Sequence, residues 1–189
     1  MSASIPFIAE PNRARREAPA ATEVALEMLA ACHGRVQAQC ELLQRLVAHT
    51  ASRGVDDEAR DAARGVVRYF EQAAPHHHAD EEQDLFPALL ESMAGSDPVC
   101  LRELTAALTA EHRVLEGLWR TLHAALQALI ADGAPLPAAP VDAFVAGYLA
   151  HVRREDEELF PMAARLLDDE ALERVGRAMR LRRGIEQVD

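Results

Sequence analysis

The sequence predicts an all-α protein, an up-down antiparallel four-helix bundle with a short extra C-terminal helix. Alanine and leucine dominate an apolar fraction of 49%, while aromatic residues make up only 4%. That composition suits helices and lacks the β-branched and aromatic side chains that a sheet prefers. Apolar residues recur in steps of three and four along four long stretches. Short turn-forming segments separate those stretches, so neighbouring helices are expected to run antiparallel. At 189 residues the chain suits one well-buried domain.

Residues 1–20 hold three prolines and the basic cluster Arg13, Arg15 and Arg16, and read as a flexible N-terminal arm. The bundle is assigned to 21–168. Its first helix opens at Thr22 and Glu23 and runs to about Thr50, with the stripe Leu26, Leu29, His33, Val36, Cys40, Leu43 and Val47. After Arg53-Gly54, the acidic pair Asp56 and Asp57 starts a second helix carrying Val66, Tyr69 and Phe70. Pro75 is expected to kink or break it, because proline removes a backbone donor and crowds the preceding turn. Gly95, Ser96, Asp97 and Pro98 form the next turn, with Asp97 as cap. The third helix runs to about Ala131 with Leu101, Leu104, Leu108, His112, Leu115, Trp119, Leu122, Leu126 and Leu129 on one stripe. A linker containing Gly133, Pro135, Pro137 and Pro140 leads to a fourth helix. There Phe144, Tyr148, His151, Glu155, Leu159, Met162 and Leu166 share a face. Residues 169–189 form an amphipathic helix and tail that packs across one end.

One phrase occurs twice. From His77 the chain reads H-H-A-D-E-E-Q-D-L-F-P, and from His151 it reads H-V-R-R-E-D-E-E-L-F-P. In both, glutamate follows histidine by four residues, as Glu81 and Glu155. Residues four apart on a helix lie on one face, so each phrase points an imidazole and a carboxylate the same way. His33 and His112 lie within the apolar stripes of the other two helices. Similar lengths of chain separate His33 from His112 and His77 from His151, implying two helical hairpins related by a pseudo-twofold.

Six side chains therefore converge: His33, His77, Glu81, His112, His151 and Glu155. Imidazole suits iron, zinc and copper, and carboxylates bridge two cations while cancelling part of their charge. Glu116, four residues after His112, is the candidate for a further carboxylate. A lone histidine on an apolar face is more often core than ligand. Four of them, one per helix and two with carboxylates at four residues on, reverse that balance, because dry unpaired polar groups are costly. His76 and His78 point off the His77 face and read as exposed or supporting residues. His49 and His123 read as surface or helix-end residues. Trp119, Tyr148, Cys32 and Cys40 read as packing, and Glu157 and Glu158 as a solvated face.

The helix order and the doubled H-x3-E-x3-L-F-P resemble the hemerythrin-like HHE cation-binding family over residues 22–167. The resemblance implies a non-haem di-iron centre that meets oxygen, nitric oxide or peroxide, or that senses iron. It gives the ligand roles to His33, His77, His112 and His151, with Glu81 and Glu155 as bridges. Two departures from the oxygen carriers stand out. Where those have a fifth histidine, this chain has Glu116. Where their last bridge is an aspartate five residues after the fourth-helix histidine, this chain offers both Glu155 and Asp156, and Glu155 repeats the Glu81 spacing.

The expected cofactor is thus two iron ions, oxo- or hydroxo-bridged, and the expected partner is a diatomic or peroxide ligand. The alternative is an iron- or oxygen-responsive regulatory protein without turnover. A ferritin-like site is disfavoured, since no histidine has glutamate three residues before it. A zinc hydrolase lacks its H-E-x-x-H. A net charge of -11 argues against nucleic acid and anionic membrane surfaces as partners. No apolar run reaches membrane-spanning length. Cys32, Cys40 and Cys100, an odd number without C-x-x-C spacing, fit reduced thiols in the cytoplasm.

Overall fold

A computed structural model describes residues 25–93 and 99–185. The expected N-terminal arm, the cap at Thr22 and the turn at 95–98 lie outside them. Among the described residues no strand occurs. The elements are α1 (Ala25–Arg53), α2 (Asp57–Asp80), a π-helical turn (Glu81–Leu85), α3 (Phe86–Ser92) and α4 (Val99–Asp132). After them come α5 (Ala138–Arg154), a second π-helical turn (Glu155–Leu159), α6 (Phe160–Leu166) and α7 (Asp169–Arg182). Helix α1 packs on α2 and α5, and α4 packs on α5 and α2, so the four long helices close a ring around one core.

Local chemistry sets the helix ends. Gly54 and Gly133 take φ of 82° and 70°, and their amides bond back to Thr50 and Leu129 at 3.2 Å, which closes α1 and α4. Asp56 caps α2 by accepting from the Ala59 amide at 2.8 Å, and Asp168 does the same for α7 through Ala171 at 2.8 Å.

The expected break at Pro75 does not occur. Helix α2 runs through Pro75 unbroken to Asp80, and the irregularity falls later. The Phe86 amide bonds to the Glu81 carbonyl and the Phe160 amide to the Glu155 carbonyl, five residues back in each case. Pro87 and Pro161 follow directly. A proline there has no amide for the carbonyl four residues back and its ring crowds that carbonyl, so the preceding turn widens. This accounts for Leu-Phe-Pro in both phrases. The extra residue also shifts the buried face: beyond Glu155 and Leu159 it continues at Ala163, while Met162 and Leu166 are only half-buried.

Two apolar clusters fill the ring. One contains Val36, Cys40, Leu43, Phe70, Leu115, Leu122, Phe144 and Tyr148. The other contains Leu29, Leu85, Leu89, Leu104, Leu108, Leu159 and Met179. On α1, His33 lies between Leu29 and Val36, and on α4, His112 lies between Leu108 and Leu115. The polar layer is therefore sealed on both sides. Helix α7 packs on α1 and α2. Its Arg182 and the following Arg183 both grip Asp80, which is fully buried, and Arg182 also reaches Asp84 at 2.6 Å.

Candidate metal centre

The polar layer contains the six side chains that the doubled phrase and the apolar stripes single out. None of His33, His77, His112, His151, Glu81 and Glu155 is more than 3% exposed. The Glu155 carboxylate turns Oε2 to His33 Nε2 at 3.0 Å and His77 Nε2 at 3.9 Å. Its Oε1 faces His151 Nε2 at 3.0 Å and His112 Nε2 at 3.7 Å. Glu81 divides in the same way, with Oε1 at 3.7 Å from His77 Nε2 and Oε2 at 3.3 Å from His112 Nε2. The residues form two overlapping four-donor groups, His33, His77, Glu81, Glu155 and Glu81, His112, His151, Glu155. Both carboxylates are common to the two groups.

The histidines are held from behind. His33 Nδ1 lies 2.8 Å from Asp156 Oδ1, His112 Nδ1 2.7 Å from Glu82 Oε1, and His151 Nδ1 2.8 Å from Glu111 Oε2. An N–H donated outward to a carboxylate leaves the Nε2 lone pair directed inward, the tautomer a metal requires. Arg113 holds Glu82, and Arg154 holds Glu111 at 2.6 Å. At His77 the outer neighbour is the buried Cys32 thiol. Burial raises that thiol, but contacts with His77 and Arg35 outweigh burial and bring it down to about 7.

Inside the layer, donors and acceptors crowd together without satisfying each other. Both oxygens of Glu81 and of Glu155, and Nε2 of His112 and His151, are buried without an aligned hydrogen bond, although several approach within ion-pair distance. A buried polar group left unpaired costs roughly 1–3 kcal/mol. Cations between the two histidine pairs would satisfy all of these atoms at once, so the donor set fits metal cations.

The electrostatics agree. Burial and then the Glu155 anion push the Glu81 carboxyl upward. For Glu155 burial acts the same way, but His112, His151, His33 and His77 outweigh it and hold the carboxyl well below the usual range. Burial lowers His112, and contacts with Glu155, Glu81 and Glu82 reverse that, taking it to about 10. His77 and His151 also rise, through Glu81 and Glu155 respectively, against burial. The two carboxylates thus favour the protonated forms of His77, His112 and His151.

Other predicted residues lie elsewhere. Glu116 does not enter the layer: its side chain is 43% exposed and pairs with Arg113. The expectation of a further carboxylate from α4 is corrected accordingly, since the helix turns Glu116 toward a cleft. Asp156, the alternative to Glu155, is also 43% exposed and supports His33 from outside. His49 is buried, not superficial, and binds Asp56 Oδ2 at 2.9 Å. His78 is buried too and stacks on His112. Tyr148 packs among Phe70 and Phe144, and Trp119 lies against the same group. The cleft, of about 500 Å³, runs between Arg113, Glu116 and Trp119 toward His78 and Tyr148.

Among the outer carboxylates, Glu82 and Glu111 are absent from the sequence-based set, and Asp156 figures there only as an alternative bridge. Glu82 and Asp156 each directly follow the shared glutamate of their phrase, and Glu111 directly precedes His112. The repeated acidic residue was the available signal for the first two.

Comparison with known proteins agrees with this geometry. The family profile described as Hemerythrin HHE cation binding domain matches residues 24–163. A protein of Haemophilus influenzae, described only as uncharacterized, is 31% identical over 163 residues, covering 86% of this chain and 91% of its own length.

Proposed function

The chain belongs to the hemerythrin HHE cation-binding family, and from that premise we propose that it is a non-haem di-iron protein that binds or reacts with oxygen, nitric oxide or peroxide. The observation that carries this is the division of both buried carboxylates, one oxygen toward His33 and His77 and the other toward His112 and His151. The packing of α1, α2, α4 and α5 in a ring supports an up-down four-helix arrangement. No helix among the described residues is long and apolar enough to cross a membrane. The cysteines are free, two buried and one exposed, which supports a reducing, cytoplasmic setting.

His33 and His77 would hold one ion and His112 and His151 the other, each through Nε2, with Glu81 and Glu155 shared between them. When bound, such a pair supplies electrons to a small oxidant or a binding position for a small neutral ligand. The chain's own residues do the rest. Asp156, Glu82 and Glu111 fix the imidazole tautomers and increase their basicity. The flanking leucine layers keep bulk water out, and the cleft beside His78 gives a route for a small molecule. The regulatory alternative has one observation in its favour: Arg182 and Arg183 at the end of α7 grip Asp80, next to Glu81, so a change at the metal layer has a direct mechanical path to an outer helix.

The test is metal analysis of the protein produced with ample iron and purified without added metal. Two irons per chain with near-ultraviolet oxo-bridged ferric absorption are expected. One tightly held zinc and no iron would contradict the proposal.

A further inference from the structure

The doubled phrase that aligns His77 with His151 aligns the next residue, His78, with Val152. Both are buried, at 7% and 2% exposure, but only one of them carries a ligand atom. The His78 ring lies nearly parallel to the His112 ring, with centroids 3.9 Å apart and planes at 9°. It meets the His151 ring edge-on at 6.2 Å. One nitrogen each of His78, His112 and His151 lie within 4.8 Å of one another, forming a three-imidazole group beside the Glu81–Glu155 pair. His78 Nε2 is buried there without a hydrogen-bond partner. A buried imidazole kept only for packing forfeits that bond for nothing, and the other half of the molecule packs valine at the same place.

We propose that His78 is a further ligand to the ion held by His112 and His151, which makes the two metal positions unequal. The inference rests on the metal-pair reading above. One position then has three imidazoles and the other, between His33 and His77, has two. Ligation requires the stacked His78 and His112 rings to tilt so that their lone pairs converge, a side-chain rotation on a fixed α2 backbone. Additional imidazole donors favour the later first-row divalent ions, so those ions should reveal the inequality best. The cause lies in α2, where His77 and His78 are adjacent. They diverge by about 100° around the helix, so His77 addresses the ion on the α1 side and His78 the ion on the α4 side.

The experiment is titration of the metal-free full-length protein with cobalt(II), followed by calorimetry and visible absorption. The parent is expected to bind two ions in two separated steps. In His78→Val the tighter step should weaken at least tenfold and merge with the weaker one. His78→Gln preserves size and polarity and decides the matter if the valine variant does not fold; it should show the same merging. If the parent binds two ions and both folded variants keep its two steps, or if the parent's two steps are already equal, His78 only packs and the inference is overturned. If the parent binds no cobalt, the metal-pair reading fails and the inference fails with it.

Discussion

His49 and Glu116 show what a helical wheel can and cannot tell at the level of a single residue. Only Glu116 follows a ligand-like spacing, yet His49 turns inward to hold the Asp56 cap while Glu116 turns outward to Arg113. His49→Ala should therefore lower the melting temperature by a few degrees and leave metal content unchanged, read by circular dichroism and metal analysis. Glu116→Gln should leave metal content unchanged and cost no more than about 1 kcal/mol, since the ion pair it loses is exposed. Glu155→Gln should abolish binding of at least one ion, because both histidine pairs lose one of their two shared anions. The six inner residues were legible because the same His-x3-Glu spacing occurs twice and two more histidines interrupt leucine stripes. Glu111 and His78 were not. Their roles depend on which helix lies opposite, and one chain's periodicity does not encode that.

At the scale of elements, the two π-helical turns matter most. The sequence displays their cause, Pro87 and Pro161, but a helix reading that assumes 3.6 residues per turn throughout sets the later residues one position off. Pro75, with the same chemistry, leaves α2 continuous, so proline alone does not announce where a helix gives way. Replacing Pro161 by alanine restores an amide donor and should let the second turn relax toward regular α-helix. Helical content should then stay constant while metal affinity falls, because Glu155 sits at the start of that turn. The contact between α7 and Asp80 gives a second expectation. Arg182→Ala combined with Arg183→Ala leaves a fully buried carboxylate unpaired and should cost roughly 3–5 kcal/mol in chemical denaturation. The amphipathic pattern made α7 legible as a helix, whereas its ionic anchorage depends on a buried aspartate that reads as an ordinary polar residue in sequence.

For the whole molecule, the metal layer couples folding to pH with opposite signs in the two forms. In the metal-free protein His112 rises from 6.5 to about 10, so its contribution to stability is complete below about 6.5 and is lost as pH climbs toward 10. Glu155, held below 4.5, contributes above that value and loses its contribution as pH falls. The metal-free protein should therefore be most stable between about 4.5 and 6.5 as far as these two groups decide it. Cations compete with the protons on His112, so binding strengthens over the same rise in pH. The gain in melting temperature on metal loading should widen from pH 6.5 upward, and a constant gain would count against His112 as a ligand. The central claim is that Glu81 and Glu155 hold two irons side by side. Iron-edge X-ray absorption on the loaded protein tests it most directly. The account predicts nitrogen and oxygen neighbours together with a second iron, drawn by the oxo bridge closer than the roughly 3.5–4 Å usual for two-metal sites. Iron with only light-atom neighbours would contradict it.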